Sequence, residues 1–152
     1  MQESLKRSLA LAVGVVASRL FLEAAGAPSW VNTVFGVTWL YLLVPIYFAK
    51  QIAKTFAERP YVELAKACSL FVLLAAAMVG TTYSLAYKFH FPAYRFSVEG
   101  GGVVGDGVSP IQGFLLSPLS SFGLSAAIGL VAAIVIGPLA LRLLRQAPVS
   151  VA

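Results

Sequence analysis

Residues 122–144 read FGLSAAIGLVAAIVIGPLALRLL, an apolar run whose one charge, Arg142, lies close to its end. About 20 mainly apolar residues suffice to carry an α-helix across the hydrocarbon core of a bilayer. In lipid the backbone must satisfy its own hydrogen bonds, so such a run is helical. Three earlier stretches are of the same kind, at residues 8–25, 30–49 and 64–86. The expected fold is therefore an all-α membrane protein, a single integral domain over residues 1–152. It has four transmembrane helices in an up-down bundle and an extracytoplasmic loop, residues 87–121, between the third and fourth.

Composition points the same way. Hydrophobic residues make up 59% of the 152 and charged residues 11%, where a soluble domain has about a quarter charged. The net charge is +5, but the basic residues sit at the ends of the apolar runs. That is an orientation signal for a membrane and not a phosphate-tracking stripe, so nucleic acid is not an expected partner. Lys6, Arg7, Lys50, Lys54, Arg59, Lys66, Arg142 and Arg145 share one side if both termini and the second connection are cytoplasmic. The other side then keeps Lys88 and Arg95, with Arg19 inside a span. The expected location is multi-pass with both termini cytoplasmic, as in a bacterial inner membrane.

The first run has a rival reading. Lys6-Arg7, a short apolar stretch and Ala25-Gly26-Ala27 resemble a secretory signal with its cleavage site. Pro28 follows directly, where proline hinders cleavage, and apolar Leu20, Phe21 and Leu22 resume beyond Arg19. The stretch is read as a span.

Helices in lipid associate through close packing and interhelical hydrogen bonds, and small residues at four-residue spacing permit close approach. The first span has Ala10, Gly14 and Ser18; the third has Ala76, Gly80 and Ser84. The fourth has the longest such ridge, Ser125, Gly129, Ala133 and Gly137, which serves either the bundle or a second copy or partner. The second span is bulky and contains Pro45, which frees the carbonyl of Tyr41. It is expected to run on past the membrane with a Lys54–Glu58 pair, stopping before Pro60, which then opens the third helix.

In the outer loop, Tyr94, Phe96 and Val98 alternate with Arg95, Ser97 and Glu99, and three glycines follow at 100–102. Period two predicts a half-buried strand, so a small β-hairpin is expected there. The segment 100–107 has no Gly-Lys-Ser/Thr ending and opens no predicted helix, so it reads as turns and not as a phosphate cradle. Gln112 to Ser121 is read as including a short interfacial helix, with Ser121 capping the last span.

Chemistry is sparse. Arg19 and Glu23 lie four residues apart within the first run, about 6 Å along a helix axis. A charge at that depth costs about 2.5–3.5 kcal/mol unless it is paired or faces a polar interior. The pair, with Asn32 and Thr33 at the facing start of the second span, is the candidate polar site: either an ion pair locking the outer end, or the lining of an outward-facing pocket. His90, Tyr94, Arg95 and Glu99 are candidate outer-loop contacts. A single histidine makes no multidentate zinc site; it suits an axial haem or pigment ligand, or more simply a surface histidine. Cys68 is alone, which excludes an internal disulfide. No hydrolase or zinc-protease motif occurs, and neither catalysis nor a cofactor is expected.

The inventory fits a small non-catalytic membrane protein: a scaffold, assembly factor or accessory subunit whose partners are the bilayer and another membrane protein or a second copy. The alternative is an oligomeric transporter of small molecules or ions using Arg19 and Glu23. A cofactor-binding redox subunit is the weaker third reading.

Overall fold

The computed structural model describes residues 2–28, 30, 36–55 and 57–146. Among the described residues the protein is all-α, built on four helices: α1 (Gln2–Ala24), α2 (Thr38–Ala53), α3 (Pro60–Phe89) and α4 (Ser117–Gln146). Among the described residues there is no strand, and one isolated bridge joins Ser97 to Val104.

Each boundary has a local cause. Pro60 opens α3, where its missing N–H is one the first turn leaves unpaired anyway. His90 ends α3 in the left-handed conformation (φ 53°), its N–H returning to the carbonyl of Ala86. Gly26 (φ 76°) turns the chain out of α1.

Side-chain pairings fix the directions. Glu23, at the end of α1, meets Arg95, just beyond the end of α3. Tyr41, near the start of α2, meets Ser125, near the start of α4. Along α3 and α4, Gly80 faces Pro118, Val72 faces Gly129 and Leu64 faces Gly137. So α1 and α3 run one way and α2 and α4 the other. One end of the molecule carries the 90–109 loop; the other gathers Lys6, Arg7, Lys50, Lys54, Arg59, Lys66, Arg142 and Arg145.

α4 lies along both α3 and α2, and α1 packs mainly on α3. The core is a stack of aromatic and small residues. Phe71 stands edge-on to both Tyr41 (centroids 6.5 Å apart) and Phe48 (6.3 Å), each such pair adding about 0.5–1.5 kcal/mol beyond burial. Glycines let the helices close: a Cβ on Gly129 would stand 2.6 Å from Val72 Cγ1, and one on Gly80 2.8 Å from the carbonyl oxygen of Pro118. A second cluster, Ala86, Phe96 and Val103, lies under the loop.

Among the described residues two helical segments, α3 and the continuous Gln112–Gln146, are long and apolar enough to cross a membrane. The 23-residue α1 carries Lys6, Arg7, Arg19 and Glu23, and α2 has only 16 residues, about 24 Å of helix.

Three expectations need correction. The second span is expected over 30–49, its helix running on to just before Pro60; as described the helix begins at Thr38 and ends at Ala53. It stops there because Thr55 folds back, with both its N–H and hydroxyl donating to the Ile52 carbonyl. No Lys54–Glu58 pair forms among the described residues. The expected hairpin is instead a 3-10 turn, Tyr94–Phe96, followed by tight turns. Phe96 is wholly buried and Arg95 turns inward to Glu23, which an extended strand presenting Tyr94 and Phe96 on one face would not allow. Finally, the loop ends early. The helix resumes at Pro110, runs through a π-helical stretch, Gln112–Leu116, and continues into α4. Gly113 sits there on the ring of Tyr87, and Ser121 is inside the helix and caps nothing.

Candidate functional site

Glu23 lies in the last turn of α1, where the carbonyl ends of the helix carry partial negative charge. A carboxylate there opposes the macrodipole and requires cations. Arg19, one turn back, supplies the first, its Nε donating to Glu23 Oε1 at 2.9 Å. The loop supplies the second. Arg95 Nη2 donates to Oε2 at 2.8 Å, and its Nε stands 2.6 Å from Oε1. That Nε–H is not aligned for a hydrogen bond, so the Nη2 bond and the charge hold the pair. Glu23 is 3% exposed. Both its oxygens are engaged, and the triad keeps one net positive charge.

Arg95 is aimed by its surroundings. Its guanidinium lies 4.0 Å from the Phe96 ring centroid and 5.6 Å from that of Tyr83, contacts worth about 0.5–2 kcal/mol each as desolvation increases. Tyr83 is in turn edge-on to Phe96 at 5.2 Å. Behind this turn the chain doubles back: Val103 and Val104 donate to the Phe96 carbonyl, and Val98 donates to that of Val104. Cβ atoms at Gly100 and Gly102 would collide with the backbones of Tyr94 and Phe96, so the loop closes only on glycine. It is thereby fastened to the bundle through Arg95.

Beside Arg19 lies a cavity of about 180 Å³ among α1, α2, α3 and α4. Thr38, Tyr41, Tyr83, Ser121 and Ser125 give it hydroxyls, and Leu124 and Ile128 flank it. The Tyr41 hydroxyl and Ser125 Oγ are 2.7 Å apart and hydrogen-bonded. Among the described residues Arg19 donates to Glu23 alone.

The residues singled out in the sequence divide. Arg19, Glu23 and Arg95 come together. His90, Tyr94 and Glu99 are exposed and stay outside this cluster, the Tyr94 hydroxyl reaching the Glu99 carbonyl only at 3.5 Å. Asn32 and Thr33 lie outside the described residues. The ridge of α4 points into the bundle: Ser125 to Tyr41, Gly129 to Val72 and Tyr41, Gly137 to Leu64 and Pro45, with Ala133 buried among them. Tyr41 and Tyr83 are site residues that the sequence does not single out, since each is one aromatic within a long apolar run. Arg95 is likewise not joined to Glu23 by the sequence; the available signal is that Glu23 is the one carboxylate of the first run, with Arg95 among the few cations on the same side.

Cys68 is buried in α3, and the described residues hold no group of three or more His, Cys, Asp or Glu side chains able to grip a metal ion. Comparison with protein-family models, with curated proteins and with solved structures finds no match.

Proposed function

We propose that this chain is a four-span integral membrane protein with both termini cytoplasmic, acting as a non-catalytic scaffold, assembly factor or accessory subunit that presents its outer loop to a membrane partner. The membrane reading is supported by where the apolar surface lies. α3 exposes Leu70, Leu73 and Leu74, and α4 exposes Leu124, Val131, Ile134, Val135 and Leu139. Leu11, Val13 and Phe21 of α1 and Trp39, Leu43 and Ile46 of α2 are exposed as well. Water would penalise every such patch at about 25 cal/mol per Å², and a surface this apolar marks contact with lipid or protein. α2 falls a few Å short of a ~30 Å core, a mismatch that local thinning accommodates. The basic residues at the end away from the loop set the orientation.

The observation that carries the functional reading is the saturation of Glu23. A carboxylate that carries protons or cargo has to change partners; this one is enclosed, with an arginine on either side. In this reading its work is to hold the loop in one conformation. On the loop's outer face Tyr94 and Val98 are exposed beside Glu99 and Asp106, an aromatic and aliphatic contact with charged neighbours, as an interface core and its polar rim are arranged.

Purification from native membranes in mild detergent tests this. The expected result is a stoichiometric membrane protein partner that dissociates when Tyr94→Ala and Glu99→Ala are combined. A chain recovered alone, and supporting a flux that Arg19→Ala and Glu23→Ala abolish, would replace this reading with the transporter.

A further inference from the structure

The cavity beside Arg19 mixes hydroxyls with the apolar side chains of Val37, Val79, Leu124 and Ile128. We propose that it holds the phosphate head of an anionic amphiphile, with Arg19 as the cation, the hydroxyls of Tyr41, Ser121 and Ser125 as the hydrogen-bonding wall, and the tail lying along Leu124 and Ile128.

Two arginines and one carboxylate leave the cluster one positive charge in excess, in the outer half of a span where an uncompensated charge is costly. Glu23 accepts from both arginines, so the excess is met only from outside the triad. Arg19 is the arginine lining the cavity, and a guanidinium presents several N–H groups in a plane that matches phosphate oxygens. In the Tyr41–Ser125 pair one hydroxyl donates to the other, which leaves the second hydrogen free to point at a ligand, with Ser121 one turn away on α4. At about 180 Å³ the space takes a phosphate with bridging waters. Shape decides between a dissolved oxyanion and a lipid. Leu124 is 66% exposed and Ile128 49% exposed, and they stand on the outward face of α4, so the way in runs along apolar side chains. The site rests on the membrane reading given above.

The test uses the full chain in phosphatidylcholine nanodiscs, titrated with phosphatidylglycerol and observed by native mass spectrometry. One phosphatidylglycerol per chain is expected to persist, preferred at least about tenfold over phosphatidylcholine. Arg19→Gln is expected to weaken retention by about tenfold, the equivalent of one charge-assisted hydrogen bond. Ser121→Leu fills the cavity and leaves all three charges in place, so it tests the site even if Arg19→Gln fails to fold; it is expected to give the same loss. Equal retention of the two lipids, or phosphatidylglycerol retention untouched by Ser121→Leu, overturns the proposal. Displacement of the lipid by millimolar inorganic phosphate overturns the amphiphile assignment in favour of a dissolved oxyanion. Release of the chain from membranes by alkaline carbonate overturns the membrane reading and this site with it; a bilayer-resident chain that retains no lipid refutes this site alone.

Discussion

Replacing Arg95 with alanine leaves the Glu23 carboxylate, its side chain 2% exposed, with Arg19 as its remaining cation. Breaking a buried ion pair outright costs about 3–5 kcal/mol. Arg95→Ala costs less than the top of that range, because Arg19 still neutralises Glu23 and because the Arg95 side chain is itself 20% exposed. Against this, the stacking of the guanidinium on Phe96 and Tyr83 is lost too. The balance is about 3 kcal/mol, and it falls on the loop, since the four helices keep their own contacts. Hydrogen exchange reads such local opening directly. The amides of Val98, Gly102, Val103 and Val104, all bonded to carbonyls within the loop, are expected to exchange roughly a hundredfold faster, as about 3 kcal/mol requires. Amides in the middle of α3 and α4 are expected to be unaffected. Unchanged exchange over 98–104 would refute the idea that Arg95 fastens the loop.

Other consequences are more local. Gly129→Val forces side-chain atoms into Val72 and the Tyr41 ring, which lie 2.6 and 3.1 Å from the Cβ position, and is expected to destabilise by at least about 1–3 kcal/mol in detergent unfolding. Gly123→Ala meets nothing within 4 Å and is expected to be neutral or to stabilise by up to about 1 kcal/mol through helix propensity; equal destabilisation by the two would mean the α4 ridge is not an internal contact. Tyr41→Phe removes the hydrogen bond to Ser125 at a cost of about 0.6–1 kcal/mol, and Ser125→Ala in the Tyr41→Phe background should add almost nothing, which a double-mutant cycle checks. Gly102→Ala places a methyl on the Phe96 backbone and is expected to reproduce the fast loop exchange of Arg95→Ala.

What could be read from the sequence was whatever depends on short spacing. Pro60 announces the start of α3, and Arg19 with Glu23 announces an ion pair, because both rest on neighbours within one turn of helix. Arg95 joins Glu23 across 72 positions, and no local pattern encodes such a meeting. Its alternation with Tyr94 and Phe96 has the period of a strand, yet burying Phe96 against Tyr83 and pairing Arg95 with Glu23 stabilises a tighter turn. The π-helical stretch was equally hidden, since the ring of Tyr87 against Gly113 is a tertiary contact. Small residues on α4 showed that something packs closely there; that it is α2 and α3 of the same chain depends on the whole arrangement.

The number of spans is tested most directly by single cysteines placed in a Cys68→Ala background and labelled in intact cells with a membrane-impermeant maleimide. Ala25, Glu58 and Asp106 are all exposed and suit the purpose. Four spans with both termini inside predict that Ala25→Cys and Asp106→Cys react from outside, while Glu58→Cys reacts only after the membrane is opened. If Asp106→Cys reacts from outside while Ala25→Cys reacts only after the membrane is opened, the first helix does not cross the bilayer, and the four-span account is contradicted together with the Glu23–Arg95 pairing that puts Ala25 at the loop end.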